Sequence, residues 1–172
     1  MRHPPRASRP HMPGYGILGP NEGSGLLPWS WAEDRLARAR AYWLSTVRPD
    51  AAPHAMPVWG AWFADALWLS SGRRSRHARN LLAEPRCVVT TDDPAEPVIL
   101  EGRAEIVTDV TLIEGFLAVH NAKYDTSLDL AFQDPAVNAT VRVVPVTAFG
   151  LIEADFTGSP TRWVFGRGAS IR

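Results

Sequence analysis

The sequence contains very little cysteine and lysine, and it carries no excess of either charge. Cys87 is the only cysteine, so no disulfide can form within the chain, and we expect an intracellular, cytoplasmic protein. Lysine and arginine together number 18, as do aspartate and glutamate together, which gives a formal net charge of zero. Because non-specific nucleic-acid binding depends on a basic surface, this charge balance argues against a nucleic-acid partner.

Long hydrophobic runs and recognisable metal or nucleotide motifs are absent as well. No segment approaches the roughly 18 to 20 apolar residues of a membrane-spanning helix, so we expect no membrane partner. The five histidines lack the spacing of metal ligands and have no second cysteine beside them, so no metal site is predicted. The sequence has neither a Gly-x-Ser-x-Gly nucleophile elbow nor a Walker-type phosphate loop.

Proline and glycine are concentrated at the N-terminus, where residues 1–27 contain five of each and show no sustained hydrophobic period. This composition predicts a flexible arm that is mobile or loosely docked. Residues 28–172 are numerous enough for one folded domain with a substantial core. Their patterns predict six or seven mostly antiparallel strands and three helices, which favours a barrel with helices at its ends. Pro145 predicts an edge position or a bulge in the long C-terminal strand.

Three helix starts are indicated by the sequence. Ser30 and Glu33 have the spacing of a capping box, which predicts that a helix begins at Ser30 and runs to about residue 40. Ser75 and Asp109 each precede a further helical pattern. Near the end of the third helix, the polar residues within 120–124 are interpreted as an exposed helix face, with a substrate-facing role as the alternative.

The most informative segment is the basic stretch 72–81, which follows an apolar strand at 66–71 and opens a short helix. Four arginines fall within seven residues, at positions 73, 74, 76 and 79. The first N–H groups of a helix lack intrahelical partners, the helix dipole favours an anion there, and arginine adds charge-assisted donors. These features favour a phosphate-bearing cofactor. A solvated helix face or a nucleic-acid patch is the alternative.

Seven short motifs, in this order and at these separations, resemble the pyridoxamine 5′-phosphate oxidase-like flavin-binding split barrels. They are Tyr-Trp-Leu-Ser-Thr-Val at 42–47, Pro-His-Ala-Met-Pro-Val-Trp-Gly at 53–60, Leu-Trp-Leu-Ser-Ser at 67–71, Ser-Arg-His-Ala-Arg-Asn-Leu at 75–81, Glu-Pro-Arg at 84–86, Val-Ile-Leu-Glu-Gly at 98–102 and Thr-Arg-Trp-Val-Phe at 161–165. The resemblance covers roughly residues 30–166. It implies a mainly β fold, a six- to seven-stranded antiparallel split β-barrel with peripheral helices.

The resemblance also implies where the cofactor binds. In the family, a Ser-Arg-Lys sequence at a helix start and a hydroxyl at the end of the preceding strand hold the phosphate. Here Ser75 and Arg76 match, His77 replaces the lysine, and a neighbouring arginine can supply the missing charge. The strand at 56–59 matches the one that follows the edge of the flavin ring. The implied cofactor-binding residues are Met56, Pro57, Val58, Trp59, Ser70, Ser71, Ser75, Arg76, His77 and Arg79.

The activity that the resemblance implies is a flavin-dependent oxidoreductase that binds FMN and transfers a hydride to or from a small organic substrate. One branch of the superfamily uses the deazaflavin coenzyme F-420, and Pro-Val-Trp-Gly at 57–60 together with the arginine-rich composition is similar to that branch. A non-catalytic flavin-binding protein is the third alternative, because a fold does not dictate a chemistry. The family further implies a homodimer with the cofactor pocket at the subunit interface. The residues themselves identify no acid or base.

Overall fold

The computed structural model describes residues 4–166, so residues 1–3 of the predicted arm and 167–172 of the predicted domain lie outside the described residues. The strands are β1 (Arg6–Ser8), β2 (Tyr42–Val47), β3 (Pro53–Val58), β4 (Ala61–Phe63), β5 (Ala66–Gly72), β6 (Arg86–Thr91), β7 (Val98–Ile106), β8 (Asn138–Gly150) and β9 (Thr161–Val164). The helices are α1 (Trp29–Arg38), α2 (Arg76–Ala83) and α3 (Val110–Tyr124). Within the described residues, no helix combines the length and the apolar character needed to cross a membrane.

The strands form a single antiparallel sheet whose main order is β1-β9-β8-β7-β6-β2-β3. The long β8 strand organises the sheet, because it pairs with β5 through its first half, with β7 along most of its length and with β9 at its end. A second ribbon arises where β5 also pairs with the short β4. The predicted mainly β, antiparallel architecture with three helices is confirmed. The sheet is not closed, and the three-residue strands β1 and β4 raise the strand number above the predicted six or seven.

Strand β5 separates two hydrophobic cores, because successive side chains of a strand point to opposite faces. Leu67 and Leu69 are buried in the larger core, together with side chains from β2, β6, β7 and β8. Trp68 is buried in the smaller core beneath α3, where its ring stacks on Phe116 with the centroids 5.8 Å apart. The two serines at the end of β5 therefore face opposite sides of the sheet.

Two of the three predicted helix starts are confirmed. Ser75 caps α2, where its Oγ accepts a hydrogen bond from the Ala78 N–H at 3.2 Å. Asp109 caps α3 in the same way and accepts from the Leu112 N–H at 3.1 Å. In both cases a short polar side chain satisfies one of the backbone donors that a helix leaves free at its start.

The predicted capping box at the start of α1 is wrong. The helix begins at Trp29, so Ser30 lies inside it, and the residue before the helix is Pro28, which has no side-chain capping group. Proline is tolerated at this position because its missing N–H would have had no intrahelical partner. The Ser30 and Glu33 spacing is therefore present without the capping interaction.

Pro145 lies at a bulge, as its sequence position predicts, although the strand that contains it is internal to the sheet. The register between β7 and β8 shifts between Glu101 and Gly102, so that Thr147 and Pro145 are successive partners. The bulge brings the two backbones close together. A Cβ added at Gly102 would lie only 2.7 Å from the carbonyl oxygen of Val144, which explains the glycine.

The N-terminal segment contains more regular structure than its composition predicts. Strand β1 pairs with β9, with Ala7 opposite Trp163. The guanidinium of Arg9 then donates to four backbone carbonyls, those of Gly19 at 2.9 Å, Glu22 at 3.1 Å, Gly158 at 2.8 Å and Pro160 at 2.9 Å. The composition predicts a flexible arm and does not indicate these contacts. A count of proline and glycine cannot show that one arginine side chain binds backbone carbonyls from distant turns.

Replacing Arg9 by methionine should lower the free energy of unfolding by about 1.5–3 kcal/mol, because hydrogen bonds from a charged donor typically contribute that much. The matched control is Arg38→Met, since Arg38 is exposed and pairs with Asp34 one turn away on α1. The control should cost less than about 0.5 kcal/mol. Urea unfolding measures both variants, and equal stabilities would contradict the prediction.

Candidate cofactor-binding site

A tight corner between β5 and α2 carries most of the predicted phosphate ligands. Ser71, near the end of β5, lies with its Oγ 2.8 Å from the Oγ of Ser75. Ser75 is the residue that caps α2, and its Oγ lies 3.4 Å from Nε2 of His77. Ser71, Ser75 and His77 thus form one polar group at the helix start, which we call the corner cluster.

Several donors beside the corner cluster are available to an anion. Arg76 and His77 are the first two residues of α2, and their backbone N–H groups have no hydrogen-bond partner among residues 4–166. Arg74, Arg76 and Arg79 are exposed, and their side chains make no hydrogen bond or ion pair with any other described residue. Unpaired amides, the helix dipole and uncompensated guanidinium groups together favour a phosphate at this position.

His77 is buried beneath the corner instead of lying on the surface of the helix. Polar groups surround it: Asn80 Nδ2 donates to Thr46 Oγ1 at 2.9 Å, and that oxygen lies 3.4 Å from Nδ1 of His54. Burial lowers the pKa of His77 below its ordinary value, and the nearby His54 lowers it further. The lowered pKa favours the neutral form of His77 in the free protein, whereas an adjacent phosphate would favour its charged form.

Two of the residues considered for the phosphate lie away from the corner cluster. The Oγ of Ser70 donates to Gln133 Oε1 at 2.7 Å, and Thr140 Oγ1 donates to the same oxygen at 2.8 Å. Ser70 is thus on the α3 side of the sheet, opposite Ser71, because alternate residues of β5 face opposite sides. The guanidinium of Arg73 donates to a backbone carbonyl in the loop before β8 at 3.1 Å.

Strand β3 carries the residues predicted to follow the flavin ring. It pairs only with β2 among the described strands, so its other edge is open. Met56 and Val58 are half-buried, whereas Pro57 and Trp59 are exposed. The open edge of a strand presents backbone donors and acceptors to a ligand with a polar rim. The second residue of β3 is His54, which lies beside His77, so the strand leads away from the corner cluster.

The sequence analysis missed a group of contacts between the end of β3 and the end of α3. Gly60 donates its N–H to the Tyr124 hydroxyl at 3.1 Å, and its carbonyl accepts from Lys123 Nζ at 3.0 Å. The ring of Trp59 stacks on Tyr124, with the centroids 4.9 Å apart and the planes within 5°. The end of α3 is therefore not simply an exposed polar face, since His120 and Tyr124 are buried. The sequence gives one indication of these contacts, which is that Lys123 is the only lysine in the chain.

The outer face of the sheet carries a continuous row of side chains that begins on β3. In cross-strand register the row runs Pro57, Trp43, Thr90, Ile99, Phe149 and Arg162. The side chain of Trp43 is 49% exposed. At the far end of the row, a cleft of about 350 Å³ opens between the sheet and the N-terminal segment. An exposed apolar surface that adjoins the candidate ring strand is a candidate contact surface.

One protein family and several solved structures are similar to this chain. The family model described as pyridoxamine 5'-phosphate oxidase matches residues 32–150. A solved F420 reductase is 29% identical, with a TM-score of 0.55, covering 67% of this chain and 94% of that chain. A putative pyridoxamine 5'-phosphate oxidase from Listeria innocua is 20% identical, with a TM-score of 0.56, covering 70% and 98%. A heme binding protein from Mycobacterium smegmatis is 18% identical, with a TM-score of 0.59, covering 77% and 62%. No curated protein matches the chain.

The family match spans more than half of the chain, from α1 through the end of β8, and it includes both β3 and the corner cluster. The solved structures confirm the predicted split-barrel fold. The family includes oxidoreductases and members that bind FMN or F-420. This chain therefore belongs to the pyridoxamine 5'-phosphate oxidase-like family of split-barrel proteins.

Proposed function

We propose that the chain is an oxidoreductase that binds the phosphate of FMN at the corner between β5 and α2. The observation that carries this proposal is a set of donors at the start of α2 that have no partner among residues 4–166, namely the N–H groups of Arg76 and His77. The hydroxyls of Ser71 and Ser75 lie beside them, and the unpaired guanidinium groups of Arg76 and Arg79 supply charge. A phosphate dianion complements every one of these groups.

Strand β3 is proposed to hold the flavin ring. When bound, the ring supplies the hydride chemistry, and the protein supplies binding and orientation. The six residues of β3 extend over about 20 Å at ~3.3 Å per residue, which suits a ring joined to a phosphate by a five-carbon chain. Met56 and Val58 offer apolar contact, and the open strand edge offers backbone hydrogen bonds. Placement of a small substrate over the ring can supply much of the rate without a dedicated acid or base.

Coenzyme F-420 is the second candidate cofactor. One observation favours it, which is that the solved F420 reductase is 29% identical over 67% of this chain. F-420 also carries a phosphate on a ribityl chain, so the same corner and strand would serve it. Titration with each cofactor distinguishes the two. A bound cofactor that no tested donor reduces and no tested substrate reoxidises would instead indicate a non-catalytic flavin-binding protein.

We also propose that the protein is a homodimer whose second subunit completes the cofactor pocket. The row on the outer sheet face supports this proposal, because it contains the exposed Trp43 and directly adjoins β3 through the pairing of Trp43 with Pro57. A two-fold axis through this face would place a second copy of the row over the first, which is the self-complementary contact of a symmetric dimer. The partner surface would then cover the open side of β3 and exclude water from the ring.

Replacing Arg76 by methionine should weaken FMN binding about tenfold to a hundredfold, because a charge-assisted bond contributes about 1.5–3 kcal/mol. Riboflavin has the same ring without the phosphate, so its affinity should change by less than about twofold. Arg38→Met is the control for loss of a surface arginine distant from α2. Titrations followed by flavin fluorescence measure all three effects, and an equal loss for FMN and riboflavin would contradict phosphate binding by Arg76.

The affinity for FMN should depend on pH through His77. Burial and His54 lower the pKa of His77 in the free protein, whereas a bound phosphate raises it. Binding then takes up a proton, so the affinity should be about three- to tenfold higher at pH 6.5 than at pH 8.5. The phosphate itself stays largely doubly charged over this range, since its second pKa is about 6. His77→Gln should flatten the profile between pH 6.5 and 7.5, and an unchanged slope over that range would exclude His77 as its source.

Replacing Trp43 by aspartate should convert the dimer into a monomer, because a charge would be placed in the middle of an apolar interface. Val110→Asp is the matched control, since Val110 is 54% exposed on α3, away from the outer sheet face. Sedimentation velocity at a common protein concentration measures both variants. A dimer that survives Trp43→Asp would contradict the proposed interface, and a monomeric wild-type protein would contradict the homodimer.

A further inference from the structure

Gly60 joins β3 to β4, and both of its backbone groups are bound by side chains of α3 instead of by a neighbouring strand. Its N–H donates to the Tyr124 hydroxyl at 3.1 Å. Its carbonyl oxygen lies 2.9 Å from that hydroxyl and 3.0 Å from Lys123 Nζ. A Cβ at this position would lie 2.7 Å from the carbonyl oxygen of Trp68, so the chain passes here only as glycine.

Lys123 and Tyr124 are themselves firmly held. The ammonium of Lys123 also donates to the Tyr42 hydroxyl at 2.7 Å and lies 4.6 Å from the centroid of the Tyr42 ring. Tyr42 is fully buried, and its hydroxyl donates in turn to the carbonyl of Leu36 in α1. The Tyr124 hydroxyl lies 3.0 Å from the carbonyl oxygen of Arg40. The contacts to Gly60 are thus anchored on α1, β2 and α3 together.

Trp59, the residue before Gly60, extends this arrangement to the surface. Its side chain is 57% exposed, yet its ring lies flat on the buried ring of Tyr124. The conformation of the chain after Val58 is therefore set from two sides, by the stack at Trp59 and by the hydrogen bonds at Gly60. This is the end of β3 that lies farthest from the corner cluster.

We propose that Lys123 and Tyr124 are positioning residues, which lock the junction between Trp59 and Gly60 so that β3 keeps a fixed orientation toward the cofactor ring. This inference rests on the proposed binding of the ring along β3. A strand with one open edge has no neighbour on that side to define its path, so its end must be fixed by contacts from another element. Here the last turn of α3 makes those contacts.

The charge state of Lys123 gives the lock a pH dependence. Burial lowers the pKa of Lys123 to about 8, Asp92 at the end of β6 opposes this change, and Arg40 before β2 adds to it. The hydroxyls of Tyr42 and Tyr124, whose own pKa values are raised chiefly by burial, stay protonated in this range. Above pH 8 the ammonium becomes an amine, which is a weaker donor to the Gly60 carbonyl.

The first test needs no cofactor. Hydrogen exchange at the Gly60 amide should be protected in the wild-type protein and at least tenfold faster in Tyr124→Phe, which keeps the ring stack and removes the hydroxyl. Amides of β7, which pairs with β6 and β8, serve as internal controls and should be unchanged. Equal protection of Gly60 in both proteins would overturn the lock.

The second test measures the cofactor that the wild-type protein binds, FMN or F-420. Lys123→Met should weaken its binding about tenfold and shift the absorption band of the bound ring toward that of the free cofactor, whereas Lys123→Arg should restore most of both. In the His77→Gln background, affinity should fall between pH 7.5 and 9.5, and it should stay constant when Lys123→Arg is added. His77→Gln retains this alkaline change, which separates it from the effect of the histidine.

The outcomes separate the lock from the proposed function. Faster exchange at Gly60 with unchanged affinity and spectrum in Lys123→Met and Tyr124→Phe would overturn the positioning role, although the contacts exist. A wild-type protein that binds neither cofactor would overturn the proposed function and the positioning role with it, while the exchange measurement would still report on the lock. If Lys123→Met fails to fold, Lys123→Arg and the pH series carry the same test.

Discussion

The alternation of side chains along β5 is the constraint on which both the cores and the candidate site depend. One set of alternate residues, including Leu67 and Leu69, fills the core inside the curved sheet, and the other, including Trp68, fills the core beneath α3. A shift of one residue would exchange the two sets and place tryptophan where leucine packs. The same alternation continues to the end of the strand, where it directs Ser71 into the corner cluster and Ser70 toward Gln133. The chemistry at the corner is thus fixed by hydrophobic packing several residues earlier.

Local patterns in the sequence were sufficient to predict the strand-to-helix corner. The Ser75 cap, the four arginines and the apolar run before them lie within twenty residues, so one short segment determines their geometry. The contacts of Gly60 could not be predicted in this way, because Lys123 and Tyr124 approach from a helix more than sixty residues away. Ser70 and Ser71 could not be distinguished as phosphate ligands for a different reason, since either serine fits the motif and only the register of β5 separates them. The capping box at Ser30 shows that a correct spacing does not ensure the interaction.

Membership of the split-barrel family limits which cofactors and reactions are expected of this chain, but it does not identify the cofactor or the reaction. The matching structures include an F420 reductase and a heme binding protein, so one backbone arrangement accommodates different cofactors. Two local features of this chain bear on a phosphate: a buried histidine whose pKa is lowered, and exposed arginines around it. A neutral imidazole costs less free energy to bury than an ammonium. The histidine therefore destabilises the folded protein less than a buried ammonium would when no phosphate is bound. In the proposed site, the surrounding arginines would then supply most of the attraction to the phosphate.

The pairing of β1 with β9 has a consequence for how the protein behaves in concentrated solution. Without β1, the strand Thr161–Val164 would present a bare row of amide and carbonyl groups, which is a template for adding a strand from another molecule. The short β1 covers that row, and a three-residue strand offers little to a further neighbour. Polymerisation through this side of the sheet is thereby blocked. The opposite margin, at β3, has no second neighbour among the described strands, which leaves its backbone groups available to the proposed ligand.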